Sequence, residues 1–125
     1  MNKSLKRMLA NGRLTAMPKR PADQALLATL AAAQFDAGRD YVEGDVNERL
    51  AAWLDTVSEP YGIDHVTMRR LLVDSRLLTR TTSGSTYQVN AAKLPEIDAV
   101  RGLDAAQVLV ELQDEREERK RRNAA

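Results

Sequence analysis

The sequence predicts a mainly α-helical fold with a small β-hairpin, arranged as a winged helix-turn-helix with a C-terminal helical extension. The first indication is residues 64–75, D-H-V-T-M-R-R-L-L-V-D-S, in which apolar residues recur at helical spacing behind a capping aspartate. The second is a pair of stretches rich in β-branched and aromatic residues, at 77–82 and 86–90. Between them, Ser83-Gly84 supplies a turn in which glycine can take a positive φ.

Composition fits one helical domain. The chain has 125 residues, of which 43% are hydrophobic, but only one Phe, one Trp and three Tyr, so Leu, Val and Ala must form most of the core. The absence of cysteine excludes disulfides and thiolate chemistry. No apolar run is long enough for a signal peptide or a membrane span, so we expect a cytoplasmic protein with no membrane partner.

The chain is expected to begin with a basic arm, residues 1–20, which contains six Lys and Arg residues and no acid. Its few apolar residues have helical spacing, so the arm is either a short helix or disordered. The predicted winged-helix domain covers residues 21–90. Its first helix starts at Pro21, a residue suited to the first helical turn, and runs to about Gln34.

Residues 39–42 form a short extended piece that is expected to pair with the hairpin. The second helix, predicted for residues 43–57, has an apolar face formed by Val46, Leu50, Trp53 and Leu54. Asn47 is polar within this helix and is expected to satisfy a buried backbone group near the strand. Residues 58–63, with a proline and a glycine, form a loop.

The third helix begins after Asp64, whose carboxylate can accept hydrogen bonds from free backbone N–H groups. Its inward face is formed by Met68, Leu71, Leu72 and Ser75. At about 100° per residue, the opposite face centres on Arg70, with Val66 and Val73 beside it. This is the predicted recognition helix.

The C-terminal part divides into a linker at residues 91–102, around Pro95, and a last helix at residues 103–122. Asp104 and Gln107 resemble a capping box at its start. Its apolar residues, Ala105, Val108, Leu109 and Leu112, can dock on the first helix of the same domain or on a second copy of the chain. We favour the homodimer through the C-terminal helix. The charged residues beyond Gln113 form a solvated helix or a binding arm.

Charge is segregated along the chain although the formal net charge is only +1. Residues 1–22 contain six bases and no acid, and residues 23–63 contain eight acids and two bases. Residues 64–90 contain four bases and two acids, and residues 91–125 contain seven bases and eight acids. A basic start beside a basic hairpin segment can steer a polyanion despite the near-neutral total.

The sequence does not predict an enzyme, because its single histidine has no cysteine or evident triad partner and no glycine-rich phosphate loop is present. No catalytic residue, cofactor or metal ligand is therefore predicted. Asp36, Asp40, Glu43 and Asp45 are interpreted as a solvated acidic surface.

Three blocks carry a family resemblance: G-R-D-Y-V-E-G-D-V-N-E-R-L from Gly38, the helix with its paired arginines, and G-S-T-Y from Gly84. Together they resemble a bacterial family of uncharacterised domains, the domain of unknown function numbered twenty eighty-seven, found alone or fused to helix-turn-helix regulators. The resemblance covers roughly residues 13–90. It implies a regulator-associated, nucleic-acid-binding module. The matching residues are Gly38, Arg39, Tyr41, Glu43, Val46, Asn47, Leu50, Arg69, Arg70, Leu72, Val73, Asp74, Leu77, Leu78, Arg80, Gly84, Ser85 and Tyr87.

Three departures from the family pattern affect helix ends. Val42 stands where the family has threonine, which removes a side-chain cap worth about 1 kcal/mol. Gly44 in the first turn costs that helix about 1 kcal/mol more relative to alanine. Arg76 replaces the glycine that ends the third helix in left-handed geometry, which a residue with a Cβ adopts only with strain.

The predicted function is DNA binding in transcription regulation, with duplex DNA as the partner. The predicted nucleic-acid-binding residues are His65, Thr67, Arg69, Arg70, Arg80, Thr82, Ser83, Lys19 and Arg20. Arg70 is expected at a base edge or a phosphate, while Arg69 anchors the backbone. Alternatively, both arginines pair with acids of their own or the preceding helix. The competing function is a protein- or RNA-interaction module, since a fold does not determine function.

Overall fold

The computed structural model describes residues 2–83 and 85–124. Its elements, in chain order, are α1 (Asn2–Met8), α2 (Pro21–Ala32), β1 (Tyr41–Val42), α3 (Glu43–Val57), α4 (His65–Asp74), β2 (Leu78–Arg80), β3 (Thr86–Val89), α5 (Leu94–Val100) and α6 (Ala105–Ala124). A 3₁₀ turn, Ala91–Lys93, precedes α5. The predicted class, mainly α with a small antiparallel sheet, is confirmed, and the order of elements is compatible with a winged helix-turn-helix.

The sheet has three antiparallel strands in the order β1-β3-β2. Tyr41 lies opposite Tyr87, and Leu78 lies opposite Val89. The predicted pairing of the short extended piece with the hairpin is confirmed. Gly84, where the sequence places the glycine of the hairpin turn, lies outside the described residues.

The core lies where α2, α3, α4 and the sheet meet. Phe35 and Tyr41 are both fully buried and their rings are edge to face, with centroids 5.1 Å apart. The inward residues predicted for α4 are buried or half-buried, and Met68 and Leu72 are fully buried. Trp53, predicted to be core, is half-buried and packs against the core from outside.

The ends of α3 and α4 behave as their sequences predict. α3 begins at Glu43 with no side-chain cap, because Val42 has nothing to offer the free N–H groups. At α4, the Asp64 carboxylate accepts from the Thr67 backbone N–H at 2.8 Å. Arg76 then takes a left-handed φ of 63°, so the corner before β2 is formed without the glycine that suits it.

Two segments near the ends of the chain are helical: one that the sequence left open between a short helix and disorder, and one that was predicted as a linker. Part of the predicted arm, residues 1–20, forms α1, and Leu5 and Leu9 are completely buried. The predicted linker, residues 91–102, contains α5, whose Ile97 and Val100 are buried against the rest of the molecule. Pro95 suggested a linker, but it lies in the first turn of α5, where a missing N–H is harmless.

The C-terminal helix α6 packs against α1 and α3 of its own chain. Ala105 and Val108 are buried, while Leu109 and Leu112 are half-buried. A homodimer through this helix stays a prediction, but most of the apolar residues in its first half already pack within their own chain. Among the helices of residues 2–83 and 85–124, none combines the length and apolarity needed to span a bilayer.

Candidate nucleic-acid interface

The solvent face of α4 centres on Arg70. Its side chain is exposed and makes no hydrogen bond or ion pair with any residue that the structure describes. Val66 and Val73, on either side of it, are half-buried, and Val73 packs partly against the core. Among the described residues of this face, Arg70 therefore reaches furthest toward a partner, because the valines beside it are short.

The segment before α2 runs beside this face. Met17 and Gln24 line a shallow depression together with Thr67, Arg70, Leu71 and Asp74. The Gln24 side chain donates to the Pro18 carbonyl at 2.7 Å, which ties the segment to α2. Lys19 and Arg20 are both exposed. The two bases therefore lie, in the chain, between Met17 and Gln24, which both line the depression beside the predicted recognition helix.

Arg69 points inward, unlike Arg70. Its guanidinium donates to Asn47 Oδ1 at 2.5 Å and lies 3.6 Å from Glu43 Oε1, and only 17% of its side chain is exposed. The alternative that the sequence allowed, pairing with an acid of the preceding helix, is therefore present in the structure. Contact between Arg69 and a nucleic-acid backbone stays a prediction. Asn47 likewise accepts from this arginine rather than bonding a backbone group.

Glu43 joins this pair to the hairpin. The Tyr87 hydroxyl donates to Glu43 Oε1 at 3.0 Å, the same oxygen that faces Arg69. Burial raises the pKa of the Tyr87 phenol, and the neighbouring Glu43 carboxylate raises it further, so the hydroxyl stays a donor. Sequence reasoning missed this Arg69–Glu43–Tyr87 network, although all three residues belong to the family pattern.

The hairpin presents Arg80, Thr82 and Ser83, all exposed. The Arg80 guanidinium carbon lies 5.7 Å from the centroid of the Tyr87 ring, a cation–π contact that directs the side chain across the sheet. Ser83 Oγ lies 2.7 Å from Ser85 Oγ. The hydroxyls of Thr82 and Ser83 can still contact phosphates, but threonine and serine are also ordinary residues of a turn.

The start of α4 is occupied by its own cap. Thr67 gives both its backbone N–H and its hydroxyl to Asp64, each at 2.8 Å, so it is less available than predicted. These bonds hold the pKa of Asp64 below its usual value. His65 is half-buried and lines a small depression beside the loop that precedes α4. In residues 2–83 and 85–124, no three His or carboxylate side chains meet as a metal site would require.

A comparison with known protein families matches the part of the chain that contains the α4 face and the hairpin. The model of a family described as an uncharacterized protein conserved in bacteria, DUF2087, matches residues 13–89, more than half of the chain. That range runs from Arg13, within the segment between α1 and α2 (residues 9–20, here called the strap), to the end of β3, and it includes the Arg69–Glu43–Tyr87 network. No curated protein and no solved structure matches the chain. The chain therefore belongs to the bacterial DUF2087 family.

Proposed function

We propose that this chain binds duplex DNA through the solvent face of α4 and acts in transcription regulation. The observation that supports this most strongly is the exposed Arg70 guanidinium, which has no partner among the described residues. An arginine on an exposed helix can form two parallel hydrogen bonds with a guanine edge. α4 has ten residues and is therefore about 15 Å long, a suitable size for the major groove.

Bases around α4 provide the contacts to phosphates. Lys19 and Arg20 are exposed on the segment that runs beside α4, and Arg80 is exposed on the hairpin. Phosphate contacts of this kind set the orientation of a protein on the duplex, while base contacts set specificity. In this proposal, Arg70 reads sequence and the other three bases position the domain.

The Arg69–Glu43–Tyr87 network supports the same role indirectly. It connects α3, α4 and β3 through contacts of 3.6 and 3.0 Å, so the helix and the hairpin are held at one angle. Two elements that must enter or flank adjacent grooves benefit from such a fixed relation, since less conformational freedom is lost on binding.

A protein-interaction module is the second candidate, and the mixed chemistry of the α4 face favours it. Half-buried Val66 and Val73 lie beside Arg70, and Asp74 is exposed at the end of the helix. Apolar groups and an acid beside one arginine suit a protein surface, whereas an acid repels phosphate. RNA is the third possible partner and shares the phosphate chemistry.

The first test is a titration of the full chain with mixed-sequence duplex DNA at several salt concentrations. Contacts from Lys19, Arg20 and Arg80 would neutralise about three phosphates and give a log–log slope of about −3. Arg70→Ala should weaken binding to a selected high-affinity site about tenfold to a hundredfold, as loss of one bidentate base contact predicts.

The matched control is Lys3→Ala, an equal change of charge on α1, which packs on α2 and α6. It should leave affinity for the selected site nearly unchanged, and both variants should keep the melting temperature of the parent. Absence of binding at low salt would rule out the DNA proposal. Equal binding of duplex RNA would favour shape recognition instead.

A further inference from the structure

An open cavity lies where α1, α2 and α5 meet, and we call it the α2 trough. One face of α2 lines it, on which Ala22, Ala25, Leu26 and Thr29 recur at helical spacing. Residues of α1 and α5 complete the lining. The cavity has a volume of about 500 Å³. Sites for small molecules in proteins have volumes of this order, and they often lie between helices.

The lining of the α2 trough is mainly apolar. Val100 of α5 is buried and Leu26 is half-buried, so both offer carbon atoms to an occupant. Ala22, Ala25 and Ala99 also line the cavity, and their small side chains leave room that larger residues would fill. A small apolar group placed here would lose contact with water and gain contact with these residues.

Two opposite charges line the same apolar cavity without pairing. Arg7 of α1 is exposed and Asp23 of α2 is half-buried, and neither has a hydrogen bond or ion pair with any residue in 2–83 or 85–124. The third charged residue of the lining, Glu96, has a partner, because it lies 3.8 Å from Lys93. An apolar cavity with one free cation and one free anion is complementary to a molecule that carries both charges on an apolar body.

The helices on either side of this cavity are fixed by the core. Leu5 of α1 and Ile97 of α5 are both completely buried, so the two helices are anchored through their opposite faces. The cavity is therefore preformed, which lowers the entropy cost of binding. The family match, residues 13–89, includes α2 but neither α1 nor α5. The segments outside the match thus complete the cavity.

We propose that the α2 trough binds a free apolar amino acid, such as leucine or phenylalanine, as the zwitterion. Its side chain packs on Leu26, Val100 and the alanines, its carboxylate accepts hydrogen bonds from Arg7, and its ammonium donates to Asp23. The proposal does not depend on DNA binding, because none of the residues that line the cavity belongs to α4 or the hairpin.

The test is a titration of the full-length protein with leucine and with phenylalanine, followed by amide chemical shifts in NMR spectra. We expect saturable shifts in α1, α2 and α5 with a dissociation constant of about 0.1–1 mM, as suits a ligand of this size. Isocaproate lacks the ammonium of leucine, and isoamylamine lacks its carboxylate. Each should bind at least about tenfold more weakly than leucine, because one charge-assisted hydrogen bond is lost.

Charge variants assign the two ends of the ligand. Arg7→Gln should weaken leucine binding about tenfold and leave isoamylamine binding unchanged, whereas Asp23→Asn should weaken leucine binding and leave isocaproate binding unchanged. Lys3→Gln, on α1, and Asp45→Asn, in the first turn of α3, are the matched controls, since neither residue lines the cavity. Both controls should bind leucine as the parent does.

Ala25→Leu tests the apolar part of the site. Ala25 is exposed, so leucine can be accommodated without entering the core, and its side chain should occupy the cavity and abolish binding with the melting temperature kept. Three results would each overturn the proposal: no shifts with either amino acid at about 10 mM, analogues that bind as tightly as leucine, or charge variants that bind leucine as their controls do.

Discussion

At the scale of single residues, the positive φ in the loop between α3 and α4 falls on Tyr61, although the residue that follows it is a glycine. Gly62 has no need of a positive φ, but a Cβ at this position would lie 3.0 Å from the Leu14 and Glu59 carbonyl oxygens. Tyr61 takes the positive φ instead. Glycine is therefore required at position 62 by the close approach of the strap, and position 61 tolerates a side chain at a strain of about 1–3 kcal/mol.

Gly62→Ala should lower the free energy of unfolding by about 1–3 kcal/mol, because both contacting atoms belong to the backbone, Leu14 O in the strap and Glu59 O in the turn itself, and neither can move without its segment. Gly44→Ala is the matched control. A Cβ at Gly44 meets nothing within 4 Å, and alanine should stabilise α3 by up to about 1 kcal/mol. Chemical denaturation of both variants gives the comparison. Equal stability of the Gly62 variant and the parent would mean that the strap is not packed against this turn.

The paired arginines illustrate what a sequence can tell about single residues. Helical geometry placed Arg70 opposite the Met68 and Leu72 face, and the structure has it exposed. The same geometry placed Arg69 at the flank of the solvent face. From that position its side chain can either pair with an acid or stay exposed. Its inward turn depends on Glu43 and Asn47, which are more than twenty residues away in sequence, and no local pattern contains that information.

At the scale of elements, α4 owes its defined start to Asp64. The Thr67 N–H and hydroxyl bonds lower the pKa of this carboxyl below its ordinary value of 3.8. A carboxylate whose pKa is lower in the folded state stabilises the fold above its unfolded pKa, and the stabilisation is lost as the pH falls through the folded pKa. The contribution of this cap is therefore complete at neutral pH and disappears in strong acid.

Asp64→Ala should lower the unfolding free energy by about 1 kcal/mol at neutral pH, because the N–H group of Thr67 loses its acceptor. Asp64→Asn keeps an acceptor oxygen without a titrating group and is the control. Urea denaturation across the acid range should show the difference between the parent and Asp64→Ala shrinking below about pH 4, whereas Asp64→Asn should differ less at neutral pH. A difference between parent and alanine variant that does not change with pH would exclude the charged cap.

Elements with strong local signals were predictable, and those defined by tertiary contacts were not. α3 occupies the predicted residues because four apolar positions recur along one face. α5 was missed because seven residues around a proline contain too few periods to separate a short helix from a linker. α1 was left open for the same reason; it is a helix that packs against α2 and α6, and its Leu5 is completely buried.

At the scale of the whole molecule, the family region is smaller than the packed unit. The family match ends at residue 89, but α5 packs on α2, and α6 packs on α1 and α3. Ile97, Val100, Ala105 and Val108 lie in the same buried cluster as the family residues. The extension is thus part of the core of this chain rather than an appended arm.

A chain ending at Asn90 should therefore be much less stable than the full chain. Loss of Ile97, Val100 and Val108 alone removes three buried side chains, each worth about 1.5–3 kcal/mol, and also uncovers their partners on α2 and α3. Thermal melting followed by circular dichroism should show a lower melting temperature or no cooperative transition. Removing only residues 117–124, which are exposed, is the control and should leave melting unchanged. An unaltered transition after truncation at Asn90 would contradict the single packed core.

The Arg69–Glu43–Tyr87 network has a consequence for redesigning the proposed binding face of α4. Consecutive residues on a helix point about 100° apart, so anchoring Arg69 to α3 and the hairpin also sets the rotation of α4 about its own axis. A helix rotated by one residue would bury Arg70 and turn its neighbour outward. The contacts of Arg69 therefore fix which residue of α4 faces solvent, and residue 70 can be substituted without changing that rotation. A library designed to change ligand preference should vary residue 70 and leave residues 43, 69 and 87 untouched.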